Sequence, residues 1–133
     1  MLTTRATVRV LIVEDAAPVR ARLIDLLLEV PGVEIVGEAA DEATALALYE
    51  EHEPDAAVVD IRIRNGSGIA VLDHIKRHNR NCLVVMLTNC VQLEFRQRCL
   101  EAGANFFLEK SREFSRVANV FRHLQRHKSE GLE

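Results

Sequence analysis

Five polar side chains follow apolar segments of the sequence, at the points where buried strands would end. They are Glu14, Asp15, Asp60, Thr88 and Lys110. Three carboxylates brought together repel one another unless a cation lies between them. The set contains no cysteine or histidine, so a hard, oxygen-preferring ion fits best. This indicates Mg²⁺, with Mn²⁺ as a substitute.

The same residue types suit phosphoryl transfer. A carboxylate can attack phosphorus and form an aspartyl phosphate. Lys110 can add a positive charge near the transferred group, and the Thr88 hydroxyl can donate a hydrogen bond to it. Each residue alone also has a structural explanation, as a solvated charge or as a side chain bonded to nearby backbone. Four separate segments that each supply a suitable group make coincidence a weak explanation.

The elements that must position these residues are indicated by the apolar pattern, which predicts five strands alternating with five helices. The strands are expected at Val8–Val13, Glu34–Ala39, Ala56–Ile61, Leu83–Leu87 and Asn105–Leu108. The first helix is expected from Pro18 to a stop at Pro31-Gly32, and the second from an Asp41 cap to Glu53-Pro54. The third is expected after Gly68, with Ile69, Leu72 and Ile75 inward, and the fourth at Val91–Ala102, closed by Gly103. The fifth is expected after a Ser111 cap, with Phe114, Val117, Phe121 and Leu124 inward.

This alternation with apolar central strands predicts an α/β fold, in which a parallel sheet is covered on both faces. Right-handed crossovers then favour a flavodoxin-like (βα)5 arrangement with strand order 2-1-3-4-5. In such a sheet, ligands bind at the carboxyl ends of the strands. All five polar residues would meet at that edge.

Composition narrows the class of protein. The chain has 133 residues, of which 48% are apolar and 28% charged, as expected for one globular domain. A net charge of -3 argues against nucleic-acid or anionic-membrane binding. No apolar run has the length of a membrane span, and we expect a cytoplasmic protein. Cys82, Cys90 and Cys99 are expected to be free thiols.

From about Arg5 to Leu124 the sequence resembles response-regulator receiver domains. Four segments carry the resemblance: the strand ending in Glu14-Asp15, the stretch Pro54 to Leu72 around Asp60, the strand ending in Thr88-Asn89, and the stretch Glu101 to Ser111. The resemblance implies a receiver domain over residues 5–127. The residues that follow it, 128–133, are polar, and we expect them to form a tail.

The resemblance also implies roles for individual residues. Asp60 would be the phosphoacceptor. The Mg²⁺ ligands would be Asp15, Asp60, the backbone carbonyl of Arg62, and Glu14 directly or through water. Thr88 and Lys110 would bind the phosphoryl group, and Phe107 would change rotamer with Thr88. Because Arg62 lies two residues after Asp60 and Asn89 one residue after Thr88, we predict that they tune the access of water to the phosphate.

A sensor histidine kinase or phosphotransfer protein would supply the phosphoryl group. The face formed by the fourth helix, fifth strand and fifth helix would then change and meet a downstream protein or a second copy of the chain. Such a domain is a switch and not an enzyme, beyond its own phosphorylation and dephosphorylation. Phe107 alternatively is an ordinary core residue.

Among the departures from the family pattern, those at Ser111 and Phe107 predict differences close to the phosphoryl-binding residues. Ser111 stands where a proline is frequent, so we expect a trans bond after Lys110 and an altered loop. Phe107 lacks the hydroxyl of the frequent tyrosine, so packing alone would hold it inward.

Two other functions remain as alternatives. One is a haloacid-dehalogenase-type phosphatase, although that family places its nucleophile in an Asp-x-Asp motif after the first strand, where this chain has Glu14-Asp15-Ala16. The other is a pseudo-receiver that binds a partner without phosphorylation, although such domains lack part of the residue set.

Overall fold

The computed structural model describes residues 7–131, with side chains as far as residue 126. In chain order the elements are β1 (Val8–Val13), α1 (Ala17–Leu28), β2 (Val33–Ala39), α2 (Glu42–His52), β3 (Ala56–Val59), β4 (Arg62–Ile63), β5 (Gly66–Ser67), α3 (Gly68–His78), β6 (Leu83–Thr88), α4 (Leu93–Glu101), β7 (Phe106–Glu109), α5 (Lys110–Glu113) and α6 (Arg116–Gly131).

Five strands form one parallel sheet in the order β2-β1-β3-β6-β7. Counting only these five strands along the chain, this is the predicted order 2-1-3-4-5, and the flavodoxin-like fold is confirmed. The register pairs Val13 with Val59 and Val59 with Met86. The carboxyl ends of the central strands therefore lie side by side.

Side chains alternate between two cores, one on each face of the sheet. On one face, Val10 and Ile12 pack with α1 and α6. On the other, Leu11 and Val13 pack with α2, α3 and α4. Full burial on both faces explains why the central strands are apolar without alternation.

Several predicted helix boundaries are confirmed. The Asp41 side chain accepts a hydrogen bond from the Thr44 N–H at 2.7 Å and caps α2. Gly103 lies just after α4 with φ 103°, a left-handed conformation that glycine adopts without steric cost. The start of α4 is two residues later than predicted, and α1 ends at Leu28, before Pro31-Gly32.

The last helical region differs from the prediction of one long helix capped by Ser111. Ser111 lies inside the short helix α5, and α6 begins at Arg116. The Ser111 hydroxyl donates to Glu109 Oε2 at 2.8 Å and so is turned back toward β7. The predicted Ser111 cap is therefore wrong.

The predicted domain begins just before the first described residue, and its predicted tail extends past the last one. Arg5 lies outside the described residues. Of the polar tail predicted for 128–133, residues 128–131 continue α6 and the last two lie outside the description. A short antiparallel hairpin, β4–β5, was not predicted, and it comes shortly after Asp60.

Candidate functional site

The backbone brings the ends of β1 and β3 together before any side chain is considered. The Asp60 N–H donates to the Val13 carbonyl at 3.0 Å, and the Glu14 N–H donates to the Ala39 carbonyl at 2.9 Å. Both residues thus continue the hydrogen-bonding pattern of the sheet just beyond its regular strands. Their positions are fixed by the sheet rather than by a free loop.

Lys110 joins the two carboxylates of these strand ends. Its Nζ lies 2.5 Å from Asp60 Oδ2 and 2.7 Å from Glu14 Oε1. The exposed fractions of the three side chains are only 15% for Lys110, 8% for Asp60 and 4% for Glu14. A charge-assisted pair this poorly solvated is screened much less by salt than a surface ion pair.

Asp15 completes the cluster from a half-buried position beside Glu14. Carboxylate oxygens of Glu14, Asp15 and Asp60 lie within 4.8 Å of one another. We call these three residues and Lys110 the acidic pocket. Three carboxylates exceed the charge of one ammonium group, and the donor atoms are all oxygen. This donor set fits Mg²⁺.

Burial and pairing shift the pKa values in the acidic pocket. Burial raises the pKa of Glu14 above its ordinary 4.5, outweighing the lowering by hydrogen bonds from Lys110 and the Ala16 N–H. Burial lowers the pKa of Lys110, but its hydrogen bonds and charge interactions with Asp60 and Glu14 together raise it above 10.5. Lys110 therefore stays protonated at neutral pH.

The segment after Asp60 is held by close packing. A Cβ atom at Gly68, the first residue of α3, would collide with the Asp60 carbonyl oxygen. Glu42, at the start of α2, accepts a hydrogen bond from the Ser67 N–H at 2.9 Å and lies against Gly66. Glu42 is a positioning residue that the sequence did not indicate.

Thr88 ends β6, fully buried, on the strand next to β3. Its Oγ1 accepts the Cys90 N–H at 3.1 Å, which leaves the hydroxyl hydrogen available to donate. The strand register places Thr88 beside Glu109, directly before Lys110.

Asn89 and Arg62 are both exposed and stand next to Thr88 and near Asp60 in the chain. Asn89 Oδ1 accepts a hydrogen bond from the Ser111 N–H at 3.0 Å. A proline at position 111 would lack that N–H, so this bond depends on the departure from the family pattern. The Lys110–Ser111 peptide is trans, as predicted. The Arg62 N–H lies 3.4 Å from Asp60 Oδ1.

Phe107 is buried, with 7% exposure, in the core on the α4 side of the sheet. It pairs with Met86 in register, and its neighbours Phe106 and Leu108 point to the opposite face. The Arg96 guanidinium of α4 lies 5.4 Å from the Phe107 ring centroid. The inward ring is thus held by packing and by a cation–π contact, so the prediction of packing alone was incomplete.

The structure therefore joins Glu14, Asp60 and Lys110 by direct contacts and places Asp15 with them. Thr88 lies at the end of the adjacent strand, and Phe107 lies beneath that edge. Besides Glu42 and Arg96, sequence reasoning missed Arg20, whose Nη1 donates to the Glu14 carbonyl at 2.7 Å. The one signal for this contact in the sequence is the position of Arg20, in the first turn of the helix that follows Glu14.

The family profile described as response regulator receiver domain matches residues 10–122. The chain is a receiver domain of the response regulator family. Chemotaxis protein CheY of Bacillus subtilis is 35% identical over 109 residues, covering 82% of this chain and 90% of that protein. Transcriptional regulatory protein PdtaR of Mycobacterium tuberculosis is 39% identical over 102 residues, covering 77% of this chain but 49% of that protein.

Solved structures show the same fold for this receiver domain. The response regulator domain of Thermotoga maritima CheB matches with a TM-score of 0.79 and 27% identity, covering 93% of this chain and 97% of that one. A CheY-like receiver protein from Methanospirillum hungatei matches with a TM-score of 0.82 over 96% of this chain and all of that one, at 22% identity. Phosphorylation and Mg²⁺ binding are typical of the family.

None of the helices in the described part of the receiver domain has the length and apolar character that a membrane span requires.

Proposed function

We propose that this receiver domain is a phosphorylation switch that accepts a phosphoryl group on Asp60 from a sensor histidine kinase or phosphotransfer protein. The observation that carries the proposal is the contact of Lys110 Nζ with both Asp60 and Glu14 at the carboxyl ends of three strands. A buried carboxylate beside a lysine and two further carboxylates is a nucleophile with its charge-neutralising partner already in place.

In the proposed reaction, an Asp60 carboxylate oxygen attacks the phosphorus of a phosphohistidine. A P–O bond forms, the P–N bond breaks, and the imidazole leaves and takes up a proton. Glu14, Asp15, Asp60 and the backbone carbonyl of Arg62 would hold Mg²⁺. The ion, when bound, offsets the negative charge of the phosphoryl oxygens and the carboxylates.

Lys110 and Thr88 act on the phosphoryl group from two sides. Lys110 exchanges its contact with the Asp60 oxygen for a phosphoryl oxygen, which keeps its ammonium group paired. The Thr88 hydroxyl donates to another phosphoryl oxygen while Oγ1 still accepts the Cys90 N–H. Both groups stabilise negative charge in a site largely closed to water.

The conformational change then extends from Thr88 to the face formed by α4, β7 and α6. Movement of Thr88 toward the phosphoryl group alters the space above Phe107, and Phe107 changes rotamer against Arg96. This is a shift between two packings that differ in their affinity for the phosphoryl group. Leu93, Leu100 and Phe106 are exposed apolar residues on or beside this face, and they would meet the downstream protein or a second copy.

Arg62 and Asn89 tune how water reaches the aspartyl phosphate, because both are exposed and flank the acidic pocket. We expect Arg62→Ala and Asn89→Ala to change the dephosphorylation rate, measured by loss of the labile phosphoryl group over time. Exposed Arg64→Ala, two residues beyond Arg62, serves as control. Unchanged rates in both variants would remove this role.

The test of the main proposal is intact mass after incubation with Mg²⁺ and acetyl phosphate. We expect a labile gain of one phosphoryl group that is absent in Asp60→Asn and absent when Mg²⁺ is chelated. A folded wild-type chain that gains nothing would support a phosphorylation-independent binding module instead. Steady turnover of a generic phosphate ester would support a phosphatase.

The chain spans 90% of the CheY relative, 49% of PdtaR and 44% of the Escherichia coli phosphate regulon regulator PhoB. PdtaR and PhoB are thus about twice the length of the part that matches this chain, whereas CheY is matched almost in full. The relatives therefore do not indicate which downstream activity the proposed switch would control. A solved CheX–CheY complex from Borrelia burgdorferi contains BeF3 and Mg²⁺, with 27% identity and a TM-score of 0.76 to this chain. The presence of Mg²⁺ in that complex supports the proposal that the acidic pocket of this chain holds Mg²⁺.

A further inference from the structure

A second cluster of potential ligands lies away from the acidic pocket, between α2 and α3. Glu50 of α2 faces His74 and His78 of α3, and one ligand atom from each lies within 4.8 Å of the others. The two histidines are four residues apart and therefore lie on the same side of α3. We call these three residues the histidine cluster.

The hydrogen bonds of the histidine cluster indicate which ring nitrogen of His78 carries its lone pair. His78 Nδ1 lies 2.8 Å from the His74 carbonyl oxygen, which can only accept, so Nδ1 carries a hydrogen. The lone pair of neutral His78 is then on Nε2, 3.8 Å from Glu50 Oε1. His74 Nε2 lies 2.7 Å from the same oxygen. Both Nε2 atoms therefore lie close to one carboxylate oxygen, and a metal cation bound by the three atoms would take the place of the proton that His74 Nε2 donates to Glu50.

The surroundings hold the two imidazoles in place. Their rings stack with centroids 4.1 Å apart, and both rings meet Tyr49 edge-on, at 5.8 Å for His74 and 6.3 Å for His78. Tyr49 is itself buried, with 4% exposure, so it provides a fixed support. Glu50 remains half open to solvent, which leaves an entry path for an ion.

We propose that Glu50, His74 and His78 form a Zn²⁺ site that joins α2 to α3. Two imidazoles and one carboxylate are a usual three-residue ligand set for Zn²⁺, with the fourth position left to water. An imidazole that binds a metal commonly donates its other N–H to a backbone carbonyl, as His78 does here. The acidic pocket, with oxygen ligands alone, suits a different ion.

Thiols do not compete for Zn²⁺ in the described part of the chain. Cys82, Cys90 and Cys99 are all buried. Burial also raises the pKa of Cys82 and Cys99 to about 11, so these two are poor ligands at neutral pH.

The experiment is a Zn²⁺ titration of the tag-free chain against a chromophoric chelator, with millimolar Mg²⁺ present to saturate the acidic pocket. We expect one Zn²⁺ per chain. His74→Ala and His78→Ala should each weaken binding by about tenfold or more, and Glu50→Gln should weaken it as well. His52→Ala is the matched control, since His52 pairs with Glu51 on α2 without a second histidine.

A second readout locates the ion. Tyr49 is the only tyrosine of a chain without tryptophan, so its fluorescence reports on the histidine cluster. We expect Cu²⁺ to quench that fluorescence in the wild type and in Asp60→Asn, and much less in His74→Ala and His78→Ala. Equal Zn²⁺ affinity in wild type and both histidine variants, or loss of binding in Asp60→Asn alone, would overturn the proposal without bearing on phosphorylation.

Discussion

In both the acidic pocket and the histidine cluster, a carboxylate contacts a side-chain nitrogen, but the two clusters differ in how far they are exposed to solvent. In the pocket, Lys110 and Glu14 are 15% and 4% exposed, and they lie at the ends of sheet strands. In the cluster, His74 and Glu50 are 28% and 57% exposed, and they project from helix surfaces. The Lys110–Glu14 and His74–Glu50 distances are both 2.7 Å, so distance alone does not separate them.

Solvent is the factor that separates the two clusters. Water competes with an exposed ion pair, which typically contributes at most about 1 kcal/mol to stability. A buried charge that loses its partner costs several times more, because water cannot replace the lost contact. The acidic pocket should therefore be sensitive to the loss of Lys110, whereas the histidine cluster should tolerate the loss of Glu50.

The largest expected effect is that of Lys110→Met, a substitution of similar shape without the charge. It leaves Glu14 and Asp60 buried together and unpaired, so we expect the free energy of unfolding to fall by about 3 kcal/mol or more without Mg²⁺. Urea unfolding of both chains measures this. The control is Arg80→Met, because Arg80 is exposed; Lys76 is unsuitable, since its Nζ donates to the Cys82 carbonyl. Equal losses in Lys110→Met and Arg80→Met would contradict the prediction.

Adding Mg²⁺ sharpens the same experiment. An ion between the carboxylates should recover part of the stability lost in Lys110→Met, since it replaces the missing positive charge. If Mg²⁺ had no greater effect on the variant than on the wild type, Lys110 and the ion would not act on the same charges.

A smaller effect on the free energy of unfolding is expected from the buried, uncharged thiols of Cys82 and Cys99 at high pH. Burial raises the pKa of Cys82 and Cys99 from 9.0 to about 11, so the unfolded chain releases these protons first as the pH rises. The free energy of unfolding is therefore unaffected by ionisation of these thiols below about pH 8. It should fall by on the order of 1 kcal/mol for each thiol by about pH 10. Unfolding curves across this range measure it.

The matched chain is the double variant Cys82→Ala, Cys99→Ala. It loses some packing at every pH, but its stability should change less between about pH 8 and about pH 10 than that of the wild type. An identical pH dependence in the two chains would show that these thiols do not carry the effect.

The smallest effect is expected for Glu50→Gln in metal-free buffer. Both partners of the pair are partly solvated, so the free energy of unfolding should change by less than about 1 kcal/mol, and added salt should reduce the difference further. A loss comparable to that of Lys110→Met would mean that solvent exposure does not explain the contrast between the two clusters.

Much of the fold was predictable because it depends on local patterns of side chains. The apolar runs at Val8–Val13 and Leu83–Leu87 have no polar face, which requires burial on both sides of a sheet. Asp41 caps α2 as its position suggested. The predicted Ser111 cap is wrong because its hydroxyl and N–H bond instead to Glu109 and Asn89, the second of which is 22 positions away in the chain.

For the candidate site, the order of apolar runs and polar residues was enough to identify the groups at the strand ends, because each of these groups stands at the end of its own run or within two residues of it. The contacts between those groups depend on the packing of separate elements. Lys110 reaches Asp60 from 50 positions away, Glu42 holds the segment after Asp60, and Glu50 faces His74 across two helices. No periodicity along a single helix or strand encodes such contacts, so they became visible only in the folded chain.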